Sequence, residues 1–105
     1  MTEEVQVTKS IELISSHFSI PQEELALSNN NFQSLEDKLT TVVSYLLDKD
    51  MNRLLNSLYR IDLNEQVFKK ILVEETPENI SRRLAREIIK RELEKVKTRA
   101  KYSGW

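Results

Sequence analysis

The chain contains no cysteine, one glycine, one histidine and two prolines, and each scarcity removes a class of structure or chemistry. Without cysteine there is neither a disulfide framework nor a thiolate metal site. Gly104, Pro21 and Pro77 supply too little of the turn chemistry that β-hairpins require. Strict alternation of apolar and polar residues occurs only at Val5, Gln6 and Val7, too short a stretch for a strand. No glycine-rich loop exists to bring backbone amides against a phosphate. Apolar runs extend for a few residues, as at Val42 and Val43 or Leu46 and Leu47, far short of the roughly 20 a membrane helix needs. The first residues carry Glu3 and Glu4 rather than a basic stretch followed by an apolar one, so no signal peptide is expected. The expected location is cytoplasmic, of bacterial type.

What is present is helical patterning. At 105 residues the chain is one domain in size, and a hydrophobic fraction of 39% against 31% charged residues predicts a lean core under a charged surface. The fold class is all-α, a small bundle of four to five helices with a long central helix and a long basic C-terminal one. Thr8 is a candidate cap for a first helix burying Ile11, Ile14 and Phe18. The Ser19, Ile20, Pro21 sequence interrupts that helix, because the residue before proline is pushed out of the helical region. A short helix through Glu23, Glu24 and Leu25 follows, and Ser28 to Asn31 is the most loop-like segment. Residues 1–31 are therefore expected to form a loosely packed N-terminal segment, residues 32–101 the core helices, and residues 102–105 a frayed tail. Within that tail, Trp105 is either docked or solvated.

From a start at Ser34, residues Leu35, Leu39, Val42, Val43, Leu46, Leu47, Met51, Leu54, Leu55 and Leu58 keep one helical stripe for about 25 residues. Asp50 is an acceptable N-cap in the middle of it, yet the phase carries through, so a continuous or gently kinked helix is expected. Asp62 to Glu65 reads as a capping box opening a helix with Val67, Phe68, Ile71 and Leu72. Thr76 and Pro77 then start the last helix, with Ile80, Leu84, Ala85, Ile88, Ile89, Leu93 and Val96 on its apolar face. An Arg60–Asp62 interaction is expected at the turn between helices.

The net charge of −1 hides an asymmetry. Residues 1–50 hold nine acids and three bases, and residues 51–105 hold eight acids and thirteen bases. Such halves attract each other, within a chain or between two, or serve a polyanion at the basic end. Arg83, Arg86, Lys90, Lys97 and Lys101 line the back of the last helix and are the candidate partner- or polyanion-binding residues. Three i,i+4 pairs, Arg83–Glu87, Glu87–Arg91 and Lys90–Glu94, also suit a solvated face. No aromatic residue is interleaved before Tyr102 to stack on bases, so nucleic acid is not the favoured partner.

Catalytic chemistry has little to work with. His17 lies beside Ser16, and neighbours on a helix point about 100° apart, so the two cannot form a nucleophile–base pair. A partly exposed histidine at a helix end is the expectation. No Glu-x-x-His pair exists for a carboxylate-bridged metal site. No catalytic residue, cofactor or metal is expected. A helix of about 25 residues spans about 38 Å, more than a compact monomer of this length needs, so a homodimer burying the excess stripe is expected. An acidic protein is a further possible partner, and a membrane is not.

The run Asn52 to Asp62 (NRLLNSLYRID), with Arg91 to Arg99 (RELEKVKTR), resembles a group of small, uncharacterised helical bacterial proteins. The resemblance covers about the last 60 residues. It implies a helical fold and brings no activity, cofactor or site residue. The expected function is a non-catalytic, self-associating interaction module, the alternative a weak nucleic-acid-binding protein using the basic helix face.

Overall fold

Each of the first four helices opens at a side chain that accepts a hydrogen bond from one of the free backbone N–H groups of the first turn. The computed structural model describes residues 2–103, so Gly104 and Trp105, with the expectations placed on them, lie outside the described residues. Helix α1 is Glu3–Phe18, capped by the Thr2 side chain on the Val5 amide at 3.2 Å, and not by Thr8. Thr8 instead donates its hydroxyl to the Glu4 carbonyl within the helix. Glu3 and Glu4 in the first turn complement the positive end of the dipole, which favours the earlier start. Ser19 closes α1 in the left-handed conformation at φ 54°, and Ile20 donates back to the Ser15 carbonyl. A single 3-10 turn, Gln22–Leu25, follows Pro21.

Helix α2 is Phe32–Lys49, capped by the Asn31 side chain on the Ser34 amide at 2.8 Å, so it starts two residues ahead of Ser34. The expected continuous helix does not form. Asp50, at φ −153° and ψ 66°, ends α2 by donating its N–H to the Leu46 carbonyl. The same residue opens α3, Met51–Arg60, by accepting from the Arg53 amide at 3.2 Å. The chain turns there, which swings Met51 and Leu55 outward to 39% exposure each while Leu54 and Leu58 stay buried.

The expected capping box at Asp62 is also absent. Asp62 sits at φ 61°, where it terminates α3, and an N-cap needs extended backbone. Asn64 caps α4, Glu65–Glu74, by accepting from the Gln66 amide at 2.8 Å. Arg60 does not meet Asp62: it reaches the His17 carbonyl and the Ser19 hydroxyl, and Asp62 faces Arg91 at 3.4 Å. Helix α5, Pro77–Ser103, starts as the sequence predicts, with the Thr76 carbonyl accepting from Asn79 and Ile80. It continues through Tyr102 and Ser103, so these two residues are helical rather than a frayed tail.

The architecture is an all-α bundle in which α5 is the central element, packed on α2, α1 and α4. One core cluster unites Leu35, Leu39, Val43 and Leu46 of α2 with Leu84, Ala85, Ile88 and Ile89 of α5. Val7, Ile14 and Phe18 of α1, then Ile20 and Leu25, belong to the same cluster at 0–5% exposure. The N-terminal segment is therefore part of the core and not a loose addition. A bundle this small cannot cover α5 with α2 alone, and α1 supplies the missing apolar surface. At about 1.5 Å per residue the 27 residues of α5 span about 40 Å, matching the 38 Å long axis of the molecule. No helix among the described residues is long and apolar enough to cross a membrane.

Candidate functional site

The basic face of α5 divides in two. Arg83 points at Glu75 and Glu74 of the preceding turn, at 2.9 and 3.3 Å. Arg86 Nε lies 2.9 Å from Glu36 Oε1 on α2, and Arg82 bridges Glu36 Oε2 and Asp37 Oδ1 at 2.6 and 3.0 Å. Burial pushes the Glu36 carboxyl up, but hydrogen bonds from Arg86 and Arg82 outweigh it and hold Glu36 below the ordinary glutamate value. The charge asymmetry thus joins the acidic and basic halves within one chain, and Arg83 and Arg86 are occupied as structural ties. Lys90, Lys97 and Lys101 are exposed and form no ion pair among the described residues. Lys101 Nζ lies 5.4 Å from the centre of the Tyr102 ring, its neighbour on the helix. Glu94 stands between Lys90 and Lys97 and is held by Arg91 at 3.0 Å, so the three lysines form an interrupted row. None of the three i,i+4 pairs expected along this face forms among the described residues; Arg83 and Arg91 are drawn to other carboxylates.

The buried titratable pair lies elsewhere. Glu92 is fully buried on the core face of α5, and its Oε2 is 2.8 Å from Nδ1 of His17 at the end of α1. Its second oxygen, Oε1, is buried without a hydrogen-bond partner among the described residues. Burial raises the Glu92 carboxyl above the ordinary value of 4.5; the hydrogen bond and charge of His17, then Lys95 and Arg99, oppose this without cancelling it. The His17 side chain is 20% exposed, as expected of a helix-end histidine, but its partner was missed. The signal was present: Ala85, Ile88, Glu92 and Val96 continue one buried stripe, with an acid at a core position. Leu93, placed on that face by its side-chain type, is half-buried beside it.

A groove of about 670 Å³ runs between α3 and α4, and Leu58, Leu63 and Phe68 line it. Leu55 and Leu72 also line it at 39% and 40% exposure, and Tyr59 projects at 89%. Asp62, Glu65 and Lys69 are its charged lining residues, with Glu65 and Lys69 paired at 3.3 Å. A second, shallow cleft of about 510 Å³ between α2 and the start of α5 is polar, lined by hydroxyls of Thr40, Thr41, Ser44 and Ser81 beside Asp48 and Glu78. Neither of these two hollows is lined by His17 or Glu92. Among the described residues no group of three or more His, Asp or Glu side chains is placed to hold a metal ion. No family model, curated protein or solved structure matches the chain.

Proposed function

We propose that this protein is a non-catalytic interaction module that pairs with a second copy of itself through the α3–α4 face. The observation carrying this reading is that Leu55, Tyr59 and Leu72, three of the large exposed apolar side chains, stand together around one groove. The occupant favoured is a second copy because the patch is self-complementary. It carries both a hollow, lined by Leu58 and Leu63, and a projecting ring, Tyr59. A two-fold contact presents the same patch from both sides, so a knob beside a hole is what it requires. Its rim also carries opposite charges one turn apart on α4, Glu65 and Lys69, which antiparallel pairing sets against Lys69 and Glu65 of the other copy. The length of the Leu35–Leu58 stripe gives no support for a dimer, since the chain turns at Asp50. Light scattering over a dilution series tests it. A mass near twice the 12.4 kDa of one chain, lost in a Leu72→Glu variant that keeps its helical circular dichroism, is the expected result. A mass of one chain at every concentration overturns it.

A second reading rests on Lys90, Lys97 and Lys101, whose charges are not met by carboxylates among the described residues. These three would bind a polyanion such as nucleic acid through its phosphates. Three contacts give a slope of about −2.7 in log K against log salt. A triple Lys→Gln variant that binds duplex DNA as well as the wild type, or a wild type that does not bind at low salt, removes this reading.

A further inference from the structure

We infer that the His17–Glu92 contact is a proton-dependent latch that holds the last turns of α1 against α5. It is a side-chain tether between α1 and α5, beside the hydrogen bonds by which Arg53 and Arg60 hold the end of α1 to α3. The pair joins positions 75 residues apart, at 2.8 Å, with one member fully buried and the other at the surface. One proton is shared across it, either on the imidazole as an ion pair or on the carboxyl as a neutral hydrogen bond. In both forms the buried carboxylate is compensated. When that proton leaves, Glu92 becomes a buried anion that keeps a hydrogen bond from the neutral imidazole but faces no positive charge there, with Oε1 still unpartnered. The cheapest relief is to let water reach Glu92, which means lifting the end of α1.

The surrounding charges set how far this goes. On α5 itself, Lys95 and Arg99 favour the anion, and their pull is weaker than the effect of burial. From α3, Arg60 donates to the His17 carbonyl, and Arg53 donates to the carbonyls of Phe18 and Ser19. These guanidinium contacts go to backbone acceptors, which do not titrate, so they serve as the hinge on which the end of α1 lifts from α5. The side chains bared by lifting are Ile14 and Phe18, both fully buried when α1 is closed. The latch is therefore closed at mildly acidic pH and loosens as pH rises, giving the module an apolar surface that it does not otherwise present.

The test compares the wild-type protein with Glu92→Gln, whose neutral amide keeps an acceptor for His17 and has no proton to lose. Amide hydrogen-exchange protection of residues 13–18, corrected for intrinsic rates, is followed from about pH 5 to about pH 8. The wild type is expected to lose roughly tenfold in protection across that range and the variant to stay level. Level protection in the wild type overturns the latch. So does a variant that follows the wild-type curve. Should Glu92→Gln not fold, Glu92→Leu, which likewise has no proton to lose, takes its place.

Discussion

Nδ1 of His17 and Oε2 of Glu92 meet at 2.8 Å across the α1–α5 contact, and the carboxylate side of that contact is sealed from solvent. Breaking the contact from one side leaves the other member stranded. His17→Ala is expected to cost about 1–3 kcal/mol, because Glu92 then has both oxygens buried without a donor. A double His17→Leu, Glu92→Leu variant is expected to match or exceed the wild type, since an apolar pair removes the desolvation cost together with the contact. Urea denaturation of the two variants distinguishes them by the sign of the change.

The raised Glu92 carboxyl also sets a pH dependence. Its folded-state value lies above the unfolded one, so its contribution to stability is full below about pH 4.5 and is lost as pH rises through the folded value. Glu92→Gln is expected to flatten this part of the stability–pH curve on the neutral side. A wild-type midpoint that rises steadily with pH from 5 to 8, without any opposing component removed by the substitution, would contradict it.

Glu36 works in the opposite sense. Arg86 and Arg82 hold its carboxyl below the ordinary value, so the stability it confers is present above about pH 4.5 and lost as pH falls through the folded value. Glu36→Gln is expected to cost about 1 kcal/mol at neutral pH, and the difference from wild type to shrink as pH falls below about 4.5. Thermal melts across that range check this, since about 1 kcal/mol is a shift of about 4–8 °C in a domain of this size.

Asp50 serves two helices, so its replacement has a cost larger than its exposure suggests. Asp50→Ala is expected to lose about 1 kcal/mol through the missing acceptor for the Arg53 amide. Hydrogen exchange is expected to show the loss in the first turn of α3, leaving α2 protected up to Leu46. Uniform loss over both helices would mean that the cap is not what separates them.

At Asp62 the backbone is left-handed, φ 61°, with the N–H donated to the Tyr59 carbonyl. Asp62→Val is expected to destabilise by about 1–2 kcal/mol, because a β-branched side chain does not fit that conformation. Asp62→Gly is expected to lie within about 0.5 kcal/mol of wild type, the relieved backbone offsetting the surface contact to Arg91. The order of the two melting temperatures is the check.

How much of this could be read from the chain differs by element. The start of α5 at Thr76 and Pro77 and its stripe from Leu84 to Ile89 were legible, because capping chemistry and a 3.6-residue period agree there. Glu92 was harder. Ile88 and Ile89 are adjacent, so the buried face can continue through either residue 92 or residue 93, and side-chain polarity argued for Leu93. Nothing local states that a histidine 75 positions earlier will make the acid tolerable. Asp50 shows the same limit. Its cap favours a break and the unbroken apolar phase of Leu46, Leu54 and Leu58 favours continuity, and both signals fall within the same few residues. Arg53 and Arg60, gripping the end of α1, favour the broken form.

The sequence by itself determined the class of the molecule. Its lack of turn residues, its helical periods and its cap-forming side chains act over three or four residues, and within that range the backbone has few alternatives. Tertiary structure alone decided which charges became internal ties, which acid went into the core and which apolar side chains stayed outside to frame a groove. Those outcomes depend on how far one helix is rotated against another. Rotation is settled by the summed packing of all five helices and by contacts between residues far apart in the chain, such as Arg86 with Glu36 and His17 with Glu92.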